Sequence, residues 1–149
     1  MSTAIHLAGP EALDRLMPLM TRFHAERGLP HDDDHRRAMA EPLLAGNPLG
    51  AIWLIGPQRA PLGYVLVSFG WSTARAGMEG WVQEVYIRDS VRGRGIGTEV
   101  LHAITVSLTQ AGLKALHVRL DESDSRAARF CGKVGFSPRD GLRVMTDVL

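Results

Sequence analysis

The chain has 149 residues, 45% hydrophobic and 22% charged, with 17 basic against 16 acidic side chains and a formal net charge of +1. That length suits a single domain over residues 1–149 with a sizeable core, and so balanced a charge excludes binding driven by nucleic-acid phosphates or an anionic membrane surface. One cysteine excludes an internal disulfide, the N-terminal stretch has no basic start followed by an apolar run, and AIWLIG and YVLVSFGW are too short to span a bilayer, so a cytoplasmic protein is expected.

Residues 3–7 read as a short strand. Gly9, Pro10 and Glu11 then open a segment with Ala12, Leu13, Leu16, Leu19, Met20 and Phe23 at helical spacing. Pro18 is expected to kink or split that helix, because it lacks an amide hydrogen and crowds the preceding turn. After Gly28 and Pro30, HDDDHRRAMAEPLLAG predicts a second helix with an acidic first turn, which the helix dipole favours, and a stop at Gly46. From Gly50 the pattern changes to strands: AIWLIG, a turn over residues 57–61, and LGYVLVSFGW, together a predicted hairpin. In the next strand, GMEGWVQEVYIR, strict alternation puts Trp81, Gln83, Val85 and Ile87 on one face and Val82, Glu84 and Tyr86 on the other. A helix over residues 97–110 follows, then a turn at Gly112, the strand KALHVRL, a helix SRAARFCGKV ending at Gly135, and a last strand GLRVMTDVL. Trp53, Trp71 and Trp81 fall in strand patterns and are expected in the core or at an interface.

Between the strand ending in YIR and the helix lies VRGRGIG. A glycine-rich turn from strand to helix presents backbone amides at the positive end of the helix dipole. Arg92 and Arg94 add charge, and Gly93, Gly95 and Gly97 allow close approach to the main chain of Ile96 and Thr98. Such a loop is an anion cradle suited to a pyrophosphate. A nucleotide P-loop is excluded because no Gly-Lys-Ser/Thr follows, and the glycine spacing differs from the dinucleotide fingerprint. The loop taken alone leaves an ordinary strand-to-helix turn open.

Taken with its neighbours the motif is more specific. Arg92-x-x-Gly95-x-Gly97, preceded by VYIR and followed about thirty residues later by DSRAARFCGKVGF, resembles the GNAT family of N-acetyltransferases over most of the chain. GYVLVSFGWS and VQEVYI resemble the middle strands of its polyamine and small-amine branch. The resemblance implies an α/β GNAT fold: a mixed central sheet of about seven strands, splayed between strands 4 and 5 and flanked by about four helices. It implies acetyl-CoA as the acyl donor, leaving as CoA, with its pyrophosphate on residues 92–98. The strand segment Val85, Tyr86 and Ile87 would meet the pantetheine arm through backbone groups of Val85 and Ile87. Asp124 stands where the family has an asparagine near that arm, with Ser125 beside it, and Asp124 also suits a helix N-cap. A homodimer is implied in the same way.

Acetyl transfer to an amine needs a neutral nucleophile, a donor for the carbonyl oxygen and an acid for the departing thiolate. Glu84 is the carboxylate closest to the expected carbonyl and is read as base or amine anchor. The polyamine-type pattern has two adjacent acids here, whereas this chain has Gln83 and then Glu84. Gln83 can orient a substrate but takes no proton, and if the amine lies on its side of the strand Glu84 is structural. Cys131 stands where the family has a tyrosine acid. A thiol is a shorter and different donor, so a structural Cys131 stays open beside a catalytic one, with Tyr86 as the reserve acid. Asp32, Asp33 and Asp34 cap a helix by default and are candidates to steer a cationic amine. HDDDH is not expected to bind metal, because consecutive residues converge poorly on one ion. The resulting expectation is an acetyl-CoA-dependent N-acetyltransferase, attacking directly in a ternary complex with the primary amine of a small molecule. A non-catalytic acyl-CoA-binding module and a protein or peptide N-acetyltransferase are the alternatives.

Overall fold

Apolar residues at every second position become strands where a neighbour completes the ladder. Five do so in the computed structural model, which describes residues 3–149: β1 (Ile5–Leu7), β2 (Gly50–Ile55), β3 (Gly63–Ser72), β4 (Gly77–Ile87) and β5 (Ala115–Val118). They lie in the order β1-β2-β3-β4-β5, with the first four antiparallel and β5 parallel to β4. The sheet is mixed, as expected, but it has five strands among the described residues where about seven were expected. The segment GLRVMTDVL forms no strand: Leu142, Val144, Met145, Val148 and Leu149 are all exposed, and an alternating pattern without a paired backbone is not a strand.

The chain divides into two units, one ending at Arg119 and one from Leu120 to Leu149. In the first, helices α1 (Leu13–Glu26) and α2 (Asp33–Leu44) pack on one sheet face, and α3 (Ile96–Gln110) follows β4. Leu16, Leu19, Met20, Ala40 and Leu44 meet Ile52, Leu54, Tyr64, Leu66 and Tyr86 in the core. Pro18 does not split α1, and Pro42 sits within α2 in the same way. Both prolines are exposed, as are Asp14 and Ala38, whose carbonyls lose their partners and can turn to water. In the second unit, α4 (Ser125–Val134) starts at Asp124, whose carboxylate accepts from the Ala127 amide at 3.0 Å, and ends at Gly135, where φ is 116°. No helix among the described residues is long and apolar enough to cross a membrane.

Two departures from regular pairing shape β4. Leu66 is opposite Glu84 but Val67 is opposite Val82, so Gln83 is an extra residue, a β-bulge. The bulge overturns the strict alternation expected of this strand. Val82 pairs on the face of Val67, while Glu84 pairs on the face of Leu66, beneath α1 and α2. Gln83 reaches the Ser68 hydroxyl at 2.8 Å, and Ser68 shares a face with Leu66, so Gln83 and Glu84 project to the same side. The second departure is at β5, which pairs with β4 only from Glu79 to Val82. Past that point β4 has no strand partner on this edge among the described residues. The Arg88 amide donates to the Leu62 carbonyl at 2.7 Å, so alternation turns the backbone of Glu84 and Tyr86 toward β3 and that of Val85 and Ile87 toward this edge.

The close approach of β3 to β4 along this stretch depends on Gly63, where an added Cβ would stand 2.0 Å from the Tyr86 carbonyl oxygen. Gly63→Ala is expected to destabilise the protein by about 1–3 kcal/mol through overpacking, read as a lower urea midpoint at unchanged slope.

Candidate active site

Glu84 is 9% exposed and lies on the sheet face covered by α1 and α2. Burial of a carboxylate requires donors, and two elements supply them. Tyr64 on β3 donates its hydroxyl to Oε1 at 2.7 Å, and His24 in the last turns of α1 places Nε2 2.9 Å from Oε2. His24 and Tyr64 are themselves buried. Burial, with the Glu84 charge and hydrogen bond added to it, pushes the Tyr64 phenol far above its ordinary value, so it stays a donor. Each carboxylate oxygen accepts one of these bonds and keeps capacity for a further one.

The far side of His24 is also occupied. Arg36, buried on α2, places Nη1 3.3 Å from His24 Nδ1 and donates from the same nitrogen to the His31 carbonyl at 2.8 Å. Its Nε and Nη2 donate to Asp33 Oδ1 at 3.1 and 2.9 Å. His31 meets His24 edge-on at 4.9 Å between centroids and stacks on His35 at 3.8 Å. Burial and then the neighbouring His35 and His24 lower the His31 pKa. Neither His24 nor Arg36 was singled out from the sequence, and Tyr64 was read only as a strand residue. The one available signal was His24 itself, a polar residue four positions after Met20 on the apolar stripe of α1.

The glycine loop lies directly after β4. Gly93 has φ 79° and Gly95, the residue preceding α3, has φ 76°, both in the left-handed region that glycine occupies readily. The first amides of α3, at Ile96, Gly97 and Thr98, have no intrahelical acceptor, and among the described residues no side chain caps them. A Cβ at Gly93 or Gly95 would meet nothing within 4 Å among the described residues. This cradle fits a diphosphate, and the open edge of Val85 and Ile87 continues from it. Arg92 is committed to the protein: its Nε donates to the Ile87 carbonyl at 2.7 Å, its Nη2 bonds both Glu26 oxygens at 3.0 and 2.8 Å, and it lies over the Tyr86 ring. Among the described residues Arg94 forms no ion pair, leaving it as the loop's uncommitted cation.

The remaining sequence candidates have these places. Tyr86 is buried in the core against Phe23 and Tyr64. Asp32 caps α2 by accepting from the His35 amide at 2.8 Å, Asp33 pairs with Arg36, and exposed Asp34 lies 3.7 Å from Arg37. Among the described residues no three acids, histidines or cysteines gather to hold a metal. Trp81 is half-buried, with the Arg119 guanidinium 4.1 Å above its ring and His117 beside it, whereas Trp71 is 67% exposed. In the second unit, Ser125 begins α4 next to its cap Asp124, and Cys131 is buried on that helix. Burial, and secondarily the Asp124 charge, pushes the Cys131 thiol up, which opposes a thiolate nucleophile at neutral pH.

Residues 13–136 match the model of the acetyltransferase (GNAT) family. No curated protein matches the chain. Among solved structures, an integron cassette protein from the mobile metagenome of Cole Harbour Salt Marsh is 28% identical, with a TM-score of 0.79 over 97% of this chain and 90% of that one. A possible acetyltransferase from Clostridium difficile 630 is 17% identical, with a TM-score of 0.88 over 100% and 99%. An aminoglycoside acetyltransferase from an uncultured soil metagenomic sample, in complex with sisomicin, is 15% identical, with a TM-score of 0.79 over 99% and 96%. The last two likenesses concern the fold.

Tyr64→Phe removes the donor to Glu84 Oε1 while keeping the ring. Leaving a buried carboxylate oxygen without that bond is expected to destabilise the protein by roughly 1–3 kcal/mol in urea denaturation.

Proposed function

Since the chain belongs to the acetyltransferase (GNAT) family, we propose that it transfers an acetyl group from acetyl-CoA to the primary amine of a small molecule, with Glu84 as proton acceptor and amine anchor. The observation that carries this reading is the composition of one strand. β4 holds a buried carboxylate at Glu84, turns the backbone of Val85 and Ile87 to an open edge, and runs into the uncapped start of α3. The residues that would hold acetyl-CoA are the amides of the 93–98 loop, with Arg94 beside them, and the backbone groups of Val85 and the amide of Ile87, whose carbonyl is held by Arg92. Bound there, acetyl-CoA supplies an activated thioester.

The rest follows from this chain's own groups. A cationic amine is attracted to the fixed charge of Glu84, whose surroundings of Tyr64, Tyr86 and Leu66 screen it poorly. Glu84 takes the amine's proton, directly or through water, and frees the lone pair that would attack the carbonyl carbon; as the carbon–nitrogen bond forms the carbon–sulfur bond would break, the departing thiolate taking a proton from solvent. An amide on the open edge of β4 is a rigid donor for an oxygen that gains charge. Gln83, on the same face as Glu84 and exposed, offers a neutral amide to orient the acceptor. Asp34, the least engaged acid of its run, supports the attraction of a cation. A small amine as acceptor also agrees with the aminoglycoside acetyltransferase among the structural neighbours.

The test is mass spectrometry of products after incubation with acetyl-CoA and a panel of polyamines, aminoglycosides, amino acids and lysine peptides. An acetylated small amine is the expected product, and a product found only on peptides would overturn the acceptor class. Glu84→Gln is expected to lower kcat about 100-fold or more at unchanged KM for acetyl-CoA; undiminished turnover would remove Glu84 from the chemistry. Gly95→Val puts a branched side chain at a left-handed position at the start of α3, so its Kd for acetyl-CoA in calorimetry should rise about tenfold or more.

A further inference from the structure

The carboxylate of Glu84 is the end of a chain of polar groups that begins on α2: Asp33, Arg36, His24, Glu84. The geometry at His24 admits one arrangement of protons. Arg36 carries donors and no acceptor, so the hydrogen bond from its Nη1 requires a lone pair on His24 Nδ1. The proton of a neutral His24 must then sit on Nε2, where it faces Glu84 Oε2 at 2.9 Å. The other arrangements fail at one contact or both. An imidazolium would aim an Nδ1 proton at the guanidinium. The opposite tautomer would do so as well and would set the Nε2 lone pair against the carboxylate. A protonated Glu84 donating to Nε2 would still leave Nδ1 and Arg36 donor to donor unless both His24 nitrogens were bare.

Arg36 is itself fixed. The two protons of Nη1 have two acceptors, the His31 carbonyl and His24 Nδ1, while Nε and Nη2 hold Asp33. The planar guanidinium cannot rotate one of these bonds without breaking the others. The groups facing His24 are Glu84 from β4, Arg36 from α2 and the His31 ring from the segment before α2.

We infer that Arg36 is a positioning residue for the acetyl-transfer reaction: it locks His24 as the neutral Nε2–H tautomer, and His24 in turn aims the Glu84 carboxylate. This rests on the reading of Glu84 as proton acceptor. Arg36 touches no reacting atom, and its effect passes through two side chains.

Two measurements test it on the whole protein. The first needs no substrate: two-bond proton–nitrogen correlation spectra of histidine-labelled protein at neutral pH, with the His24 signals assigned by comparison with His24→Gln. A protonated Nε2 and an unprotonated Nδ1 are expected, with a second tautomer or the imidazolium emerging in Arg36→Met. An Nδ1–H tautomer or an imidazolium in the wild type would overturn the inference, as would an unchanged His24 pattern in a folded Arg36→Met. The second is a double-mutant cycle on kcat. Arg36→Met is expected to lower kcat roughly tenfold to a hundredfold in the wild-type background, by misplacing the carboxylate, and to change it less than about twofold in Glu84→Gln. Equal effects in both backgrounds would make Arg36 merely structural. If Glu84→Gln alone retains full turnover, the catalytic reading of Glu84 fails, while the tautomer spectrum still decides the lock on its own.

Discussion

Glu84 holds a negative charge at a position only 9% exposed, under two helices, and the surrounding structure is arranged around that demand. A buried carboxylate without partners costs several kcal/mol, so β3 contributes the Tyr64 hydroxyl and α1 contributes His24. His24 then needs a donor at its other nitrogen, which brings in Arg36 from α2, and Arg36 needs an anion, which Asp33 provides. Four elements of the first unit are thereby fixed to one another by a single charge. Among the described residues no buried side-chain polar atom lacks a hydrogen-bond partner, so the network is closed.

The bulge at Gln83 decides where that charge points. With unbroken alternation Glu84 would share a face with Val82. The inserted residue instead sends Val82 toward the face of Val67 and Glu84 toward α1 and α2, with Gln83 beside it. β4 can therefore offer an apolar surface in its first half and an acid on the opposite face in its second, without a change of direction. Bulges bring this kind of re-aiming to a strand at the cost of one unpaired residue.

These two features also mark the limit of what the sequence discloses. The helices were legible because Leu16, Leu19, Met20 and Phe23 repeat with the helix, and β2 to β4 because alternation and their glycine boundaries are local signals. The loop from Arg92 to Gly97 was legible because its glycines have a backbone reason that survives without a fold. The bulge was not, since one extra residue in VQEV changes no composition and only the partner strand reveals it. The His24–Glu84 pair was not either: the two lie 60 residues apart, and nothing in either segment names the other. The last strand was misread for the opposite reason, because the alternation of Leu142, Val144 and the residues after them is a local signal that no backbone neighbour completes in the structure.

Arg92 ties the glycine loop to the end of α1 through both oxygens of Glu26, only two residues beyond His24. One terminal turn of helix thus grips the cradle with one side chain and the carboxylate with another. The glycine loop and the Glu84 carboxylate share a mechanical support, so a shift of that turn is transmitted to both at once. Tolerance for movement at the end of α1 is correspondingly small, although the turn lies at the edge of its helix, where fraying is otherwise cheapest.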